Sequence, residues 1–198
     1  MEDRYKELFA NKTTLWAVEL ACRFLNSGYY PHLDSWLHGG LLLKAPKVDS
    51  IQGEVKETIP MALEYTQRGH LVVLLAPEVD EAGRGILSPD GFLDEEHVLI
   101  EFKNVTKAKE YTLDNQLKDA AKRGKAVIRS IKVPNHMSPD FLARRLNGRY
   151  NASAHMDRVH VIYKSNILKF SRLIWEEKGY NGILNIIKKG ETSFEDLA

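Results

Sequence analysis

The feature that most constrains the fold is an uninterrupted apolar run at residues 70–76, which reads His-Leu-Val-Val-Leu-Leu-Ala. The run has the length of a strand, and aliphatic residues that favour strands fill its centre. A strand that is apolar at every position has no side suited to water, so it must be covered on both faces. The run therefore predicts a central strand of a sheet with other layers packed against it.

A helical pattern precedes this run, and strand-like and helical patterns follow it. A helix is predicted at about 51–68 and ends at Gly69, which stands in the C-cap position. Further strands are predicted at 91–93, 97–103, 126–133 and 158–163, and further helices at 112–123, 139–147 and 171–189. The middle of the chain thus reads helix, strand, strand, strand, helix, strand. This order predicts an α/β fold with a mixed central sheet flanked by helices.

The first 50 residues predict an additional segment in front of this fold. Apolar residues recur at helical spacing within 3–26, and Asn-Ser-Gly follows as a stop signal. The stretch 29–47 is rich in Gly, Pro and His, which is typical of an irregular or hairpin connection, with a short apolar strand at 41–43. We therefore predict an N-terminal helical and irregular extension at 1–50 and an α/β domain at 51–198.

The overall composition excludes several classes of protein. The chain has 28 basic and 27 acidic residues, so it is not a histone-like binder, although a local basic groove remains compatible with this balance. A single cysteine, Cys22, excludes an intramolecular disulfide framework and suits a reducing compartment. The apolar runs are too short to span a bilayer, and the first residues lack the apolar stretch of a secretion signal. We expect a cytoplasmic protein with no membrane partner.

The candidate chemistry lies on the predicted strand 97–103 and just before the strand 91–93. Side chains alternate along a strand, so Glu101 and Lys103 project to the same side. A carboxylate and an ammonium on a buried strand are costly unless they have a function. Asp90 precedes the short strand and can reach the same neighbourhood. Two carboxylates beside a lysine predict a site for a divalent metal ion with oxygen ligands.

This motif, Pro89-Asp90 followed by Glu101-Phe102-Lys103, resembles the signature of the PD-(D/E)XK nuclease superfamily. The predicted order of elements also resembles the αβββαβ core of that superfamily. The resemblance implies a metal-dependent nuclease. It implies that Asp90, Glu101 and the main-chain carbonyl of Phe102 hold Mg²⁺ or Mn²⁺, and that Lys103 positions or polarises the nucleophile.

The same resemblance implies two further site residues. Members often carry an acidic metal ligand on the helix before the first core strand, and we choose Glu57 over Glu54 and Glu64 for this role. Members also often carry a Gln or Lys on the helix after the Glu-x-Lys strand, where Gln116 stands. An ordinary exposed helix residue explains Gln116 equally well.

Two groups of residues are candidates for contact with nucleic acid. Basic residues concentrate after the motif, where they would neutralise phosphates: Lys107, Lys109, Lys118, Lys122, Arg123, Lys125, Arg129 and Lys132. A second cluster at 144–150 contains three arginines and Tyr150, an aromatic residue suited to stacking on an unpaired base. A solvated charged face is the ordinary explanation of both groups.

A closer resemblance involves the segments Ser-Pro-Asp-Gly, Ile-Glu-Phe-Lys-Asn, Gln-Leu-x-x-Ala-Ala and Ala-Val-Ile-Arg-Ser-Ile. Over about residues 51–165 the chain is similar to the C-terminal toxin nucleases of contact-dependent growth inhibition systems. It is also similar to nuclease domains attached to phage and mobile-element proteins. This resemblance implies an RNA substrate, often tRNA, and a cognate immunity or complex-partner protein. DNA remains an alternative substrate.

Two other functions remain open. Some of these toxins have a barnase–EndoU–colicin–RelE-like fold and cleave RNA without metal, and His155 and His160 are candidates for the acid and base of such a reaction. The second alternative is a catalytically degenerate nuclease fold that serves as a binding module. The histidines lack zinc spacing, and the chain contains no phosphate-loop or nucleophile-elbow motif.

Overall fold

The structure is a computed structural model. It describes residues 15–32, 40–46, 54–76, 81–82, 89–93, 98–107, 110–121, 127–152 and 156–190. The chain divides into two compact units, Met1–Leu99 and Ile100–Ala198. Each unit combines helices with parallel and antiparallel strand pairs, so the predicted α/β class with mixed strand pairing is confirmed. The predicted boundary between residues 50 and 51 falls outside the described ranges and stays a prediction.

The first unit contains two described helices and four strands. They are α1 (Leu15–Asn26), β1 (Tyr30–Pro31), β2 (Leu41–Lys44), α2 (Glu54–Thr66), β3 (Leu71–Leu74) and β4 (Gly91–Leu93). Strand β2 runs parallel to β3, whereas β1 and β4 pair antiparallel with β2 and β3 respectively. The predicted central strand at 70–76 is therefore observed as the four-residue strand β3.

Strands β2 and β3 are buried on both faces, as the apolar run at 70–76 predicts. Alternate residues on one face form a core with helix α1: Ala21, Leu25, Leu41, Leu43, Leu71 and Val73. The intervening residues Leu42, Val72 and Leu74 are also buried. Apolar side chains at every position of a strand thus produce a sheet without a water-facing side in this region.

Two glycines fix the connection between α2 and the sheet. Gly69 follows α2 with φ of +86°, and its N–H donates to the Thr66 carbonyl oxygen at 2.9 Å. The predicted glycine end of this helix is confirmed. Gly40 precedes β2 and approaches the end of α2 so closely that a β-carbon would lie 2.0 Å from the Thr66 carbonyl oxygen. Only glycine fits there without a shift of the backbone.

The second unit carries the remaining elements, and β5 begins at the end of the first. They are β5 (Val98–Asn104), α3 (Glu110–Ala121), β6 (Val127–Lys132), α4 (Pro139–Ala152), β7 (Arg158–Tyr163), β8 (Asn166–Ser171) and α5 (Arg172–Lys189). Within the unit the strand order is β5-β6-β7-β8, with β6 parallel to β7 and β7 antiparallel to β8. The predicted sequence of helix, three strands, helix and strand is observed as α2, β3, β4, β5, α3 and β6.

In the second unit, one face of the sheet packs against the three helices. The core contains Leu113 and Leu117 of α3, Leu142 and Leu146 of α4, and Ile174 and Ile183 of α5, together with strand residues Ile131, Val159, Val161, Leu168 and Phe170. Helix α4 packs against both α3 and α5. The apolar stripes of the three helices therefore explain the layer that covers this face.

Strands β1 and β8 were not predicted from the sequence. The β7–β8 hairpin turns through Lys164 and Ser165, between the paired residues Tyr163 and Asn166. Both turn residues have positive φ, 49° and 62°, as a type I′ turn requires.

Helix α5 was predicted, and it starts one residue after the predicted position. The Ser171 hydroxyl caps it by accepting a hydrogen bond from the Ile174 N–H.

Within the described ranges, no helix is both long enough and apolar enough to cross a membrane.

Candidate nuclease site

Strand β5 brings Glu101 and Lys103 together on one side, as the alternation of side chains predicts. The Lys103 Nζ lies 2.6 Å from Oε1 of Glu101. The Glu101 side chain is fully buried, whereas 20% of the Lys103 side chain is exposed. A carboxylate without access to water requires compensating positive charge. Lys103 supplies part of that charge and still reaches the solvent.

The side of β5 that carries this pair is the side covered by the helices of the second unit. Val105, two residues beyond Lys103, is buried in the same core as α3, α4 and α5. Residues two apart on an extended chain share a face, so Glu101 and Lys103 lie on this face as well. The pair thus stands at the border between the helical layer and solvent.

Asp90 stands directly before β4, where the sequence predicts it. Its carbonyl oxygen accepts a hydrogen bond of 3.0 Å from the Leu75 N–H, which ties the start of β4 to the end of β3. The residue is half-buried. Its convergence with Glu101 of the second unit stays a prediction.

The other predicted site residues occupy three different environments. Phe102 is buried, with 3% exposed, and its predicted ligand atom is the main-chain carbonyl oxygen. Glu57 is exposed on α2. Gln116 is half-buried on α3. It lies on one side of the buried stripe formed by Leu113 and Leu117, and Asp114 lies on the other side. The assigned roles of all three residues stay predictions.

The predicted metal ligands have a donor set that fits a hard cation. Carboxylate and carbonyl oxygens are the ligands that Mg²⁺ and Mn²⁺ prefer. In the part of the chain that the structure describes, no three His, Cys, Asp or Glu residues form a group able to hold a metal ion. The predicted set has three such side chains, those of Asp90, Glu101 and Glu57, together with the Phe102 carbonyl, and its assembly into a metal site stays a prediction.

Two of the residues predicted to contact nucleic acid are buried, and those predictions are wrong. Tyr150 is 1% exposed, and its hydroxyl donates to the Phe170 carbonyl oxygen at 3.1 Å. Its ring stacks on Trp175 inside the protein and has no face for a base. Arg129 is fully buried on β6 and cannot contact a phosphate at the surface.

The three arginines of α4 are engaged by acidic neighbours. Arg144 forms an ion pair with Asp140 one helical turn away. Arg145 and Arg149 approach the two carboxylate oxygens of Asp114 on α3 at 3.5 Å and 3.6 Å. These contacts tie α4 to α3 and reduce the positive charge that the cluster offers to nucleic acid. Of the predicted basic concentration, Lys107 and Lys118 are exposed, and Lys109, Lys122, Arg123 and Lys125 lie outside the residues whose side chains the structure describes.

The two histidines considered for a reaction without metal have different outcomes. His160 is 1% exposed on β7, between strands β6 and β8. A buried imidazole in the centre of a sheet has no direct access to an RNA substrate, so its predicted role as acid or base is wrong. His155 lies outside the described residues.

Sequence reasoning missed the electrostatic environment of Arg129. Burial lowers the pKa of the Arg129 guanidinium, and the electrostatic influence of Asp157, Tyr150 and Glu101 acts in the opposite direction. Asp157 also lies 3.7 Å from the Nε of Arg172, whose guanidinium stands over the ring of Tyr150. The sequence signal was an arginine inside the strand pattern Ala-Val-Ile-Arg-Ser-Ile.

Comparison with known proteins gives no relative of this chain: no family model matches it, and neither the curated proteins nor the solved structures yield a match.

Proposed function

We propose that this protein is a metal-dependent nuclease of the PD-(D/E)XK type that hydrolyses phosphodiester bonds in nucleic acid. The observation that carries the proposal is the pair of Glu101 and Lys103, 2.6 Å apart on a buried strand with the carboxylate fully enclosed. A strand interior is a costly place for two charges. Their position in the pattern Pro-Asp, gap, Glu-x-Lys supports a catalytic role rather than a purely structural one.

In this proposal Asp90, Glu101 and the Phe102 carbonyl hold Mg²⁺ or Mn²⁺, with Glu57 as an additional ligand. The bound ion supplies Lewis acidity to the scissile phosphate and lowers the pKa of a water molecule. Lys103 is the residue of the pair that solvent reaches, so its ammonium is placed to orient the nucleophile and to offset negative charge that develops on the phosphate. Gln116 would contribute a hydrogen bond to the same region.

The proposed substrate is DNA or RNA, with tRNA as the specific RNA candidate. A toxin acting in the cytoplasm would require a cognate immunity protein, and a mobile-element nuclease would act within a complex. The exposed Lys107 and Lys118 are better placed to contact phosphates than the α4 arginines, because Asp114 and Asp140 already neutralise the latter.

Cleavage assays test this proposal directly. The purified protein is incubated with tRNA and with duplex DNA, in Mg²⁺, in Mn²⁺ and in EDTA. We expect metal-dependent cleavage, and we expect Asp90→Asn, Glu101→Gln and Lys103→Met each to lower the rate by about a hundredfold or more, since charge stabilisation of this kind contributes on that order. The matched control is Asp114→Asn, which removes a half-buried carboxylate from a contact between helices.

Three outcomes would contradict the proposal. Cleavage at the wild-type rate by a variant that carries all three substitutions would show that these residues are not the catalytic ones. Full activity of the wild type in EDTA would favour the metal-independent ribonuclease. Binding of tRNA or DNA without turnover in either metal would favour the degenerate binding module.

A further inference from the structure

Arg129 is the largest fully buried side chain in the described part of the protein, and the proposed function has no role for it so far. Arginine is almost never enclosed completely unless it is paired. Its guanidinium stays protonated at any physiological pH, so it introduces a permanent positive charge under the helical layer. A residue of this kind requires an anionic neighbour within the same unit.

The alignment of β5 with β6 identifies one such neighbour, and Asp157 is another. The Val105 N–H donates to the Lys132 carbonyl oxygen at 2.8 Å. In the parallel pair of β6 and β7, Ser130 pairs with His160, so Val133 is level with Tyr163. The Val133 N–H donates to the carbonyl oxygen of Ile162, the residue just before Tyr163. Because helix α3 connects β5 to β6, as a crossover connects parallel strands, the bond from Val105 corresponds to an alignment of Val105 with Val133.

Carried back by four residues along both strands, this alignment places Glu101 opposite Arg129. Neighbouring strands lie about 4.8 Å apart, so opposed side chains on one face are in reach of each other. Both side chains are fully buried. Asp157 also influences this guanidinium, and its charge raises the pKa of Arg129 more than the charge of Glu101 does.

We infer that Arg129 is a positioning residue that holds the Glu101 carboxylate from the neighbouring strand and so releases Lys103 for contact with substrate. This inference rests on the proposed function. Two cations lie near Glu101: the buried guanidinium of Arg129 and the ammonium of Lys103, which reaches solvent. The buried guanidinium offsets part of the negative charge of the carboxylate, so Lys103 is not its only counter-charge. Without Arg129, Lys103 would be the principal counter-charge of an enclosed carboxylate and would stay bound to it.

The test measures metal binding and turnover separately in wild type, Arg129→Met and Arg129→Lys. Binding of Mn²⁺ alone, without nucleic acid, is followed by electron paramagnetic resonance. Steady-state cleavage then gives kcat and KM. For Arg129→Met we expect Mn²⁺ binding to weaken and kcat to fall, each by about tenfold or more, which is the usual scale for a residue that orients a metal ligand. The KM for nucleic acid is expected to change by less than about threefold, since Arg129 does not contact the substrate. Arg129→Lys keeps the charge and is expected to restore most of both losses.

Tyr150→Phe is the matched control, because Tyr150 lies in the same buried surroundings and this variant loses one hydrogen bond but no positive charge. We expect it to bind Mn²⁺ and to cleave at the wild-type level. Circular dichroism checks that each variant is folded at the assay temperature. If Arg129→Met does not fold, Arg129→Gln takes its place, with the same expected result.

The outcomes separate this inference from the proposed function. Wild-type or tighter Mn²⁺ binding and unchanged kcat in folded Arg129→Met would overturn the inference while the nuclease assignment stands. Equal losses in Tyr150→Phe would also overturn it, because they would reveal a general effect of core damage. A wild-type protein that neither binds Mn²⁺ nor cleaves nucleic acid would contradict the proposed function, and this inference with it.

Discussion

The ion pair on β5 makes a quantitative prediction about stability that is independent of any catalytic role. Coulomb's law at the 2.6 Å separation of Lys103 Nζ and Glu101 Oε1 gives about 6 kcal/mol at an effective dielectric constant of about 20, and about 1.6 kcal/mol in bulk water. The true coupling lies between these limits because the carboxylate is enclosed while the lysine is 20% exposed. Since Arg129 also compensates Glu101, we expect a coupling of about 2–3 kcal/mol.

A double-mutant cycle measures this coupling. The free energy of unfolding is determined by urea titration, followed by circular dichroism, for wild type, Glu101→Gln, Lys103→Met and the double variant. Lys103→Met is expected to lose about 2–4 kcal/mol because it deprives a buried carboxylate of a partner. Each kcal/mol corresponds to a fall in Tm of roughly 2–4 °C for a chain of this size. The double variant should be more stable than the sum of the single losses predicts.

A measured coupling below about 0.5 kcal/mol would refute this reasoning, because that value is typical of exposed pairs on a protein surface. Lys118→Met serves as the control for the loss of an exposed lysine elsewhere. It is expected to change the free energy of unfolding by less than about 0.5 kcal/mol.

Two other predictions concern Gly40 and the contact between Tyr180 and Asp140. Gly40→Ala would place a β-carbon 2.0 Å from the Thr66 carbonyl oxygen, so the backbone must shift, and thermal unfolding should reveal a loss of about 2 kcal/mol or more. The Tyr180 hydroxyl, which donates to Asp140 at 2.5 Å, lowers the pKa of that carboxyl below its ordinary 3.8. The stabilisation is therefore present above about pH 4 and lost as the pH falls through the lowered pKa. Tyr180→Phe should raise the pKa of Asp140 in an NMR titration.

Each of these two predictions has a matched comparison. Gly148→Ala is the control for Gly40, because Gly148 lies inside α4 with no atom within 4 Å of its β-carbon position. That variant should be neutral or slightly stabilising. An equal loss of stability at both positions would show that the predicted clash with the Thr66 carbonyl oxygen is not the cause. For Asp140, an unchanged pKa in Tyr180→Phe would contradict the role of the hydroxyl and leave Arg144 and Lys188 as the causes of the lowered pKa.

Patterns that are local in sequence predicted most of the elements. The apolar run at 70–76 and the strand that carries Glu101 and Lys103 gave the right positions because each is flanked by breakers and filled with residues that favour strands. The glycine end of α2 followed from a residue suited to positive φ. Hairpin strand β8 was missed because its turn uses Lys164 and Ser165 rather than the Asn-Gly or Asp-Gly that usually mark such turns.

The surroundings of a side chain that depend on residues far away in the sequence could not be predicted from local patterns. Arg129 looked like one more surface cation, because its anionic neighbours Glu101 and Asp157 each lie 28 residues away in the chain. Tyr150 looked like a platform for a base, since its position at the end of an arginine cluster gave no sign of Trp175 or the Phe170 carbonyl beneath it. The position of Glu101 and Lys103 on one side of β5 needed only the alternation of a strand, which explains why that part of the candidate site was predictable.

The hairpin of β7 and β8 has a consequence for the order in which the second unit assembles. Its six paired positions close across a turn of two residues, whereas the pairing of β6 with β7 joins residues that are thirty apart, such as Ser130 and His160. Short loops cost less entropy to close, and isolated hairpins form on the microsecond scale. We therefore expect residues 158–190 to collapse first and to serve as the template on which β6, and with it the buried guanidinium, later docks.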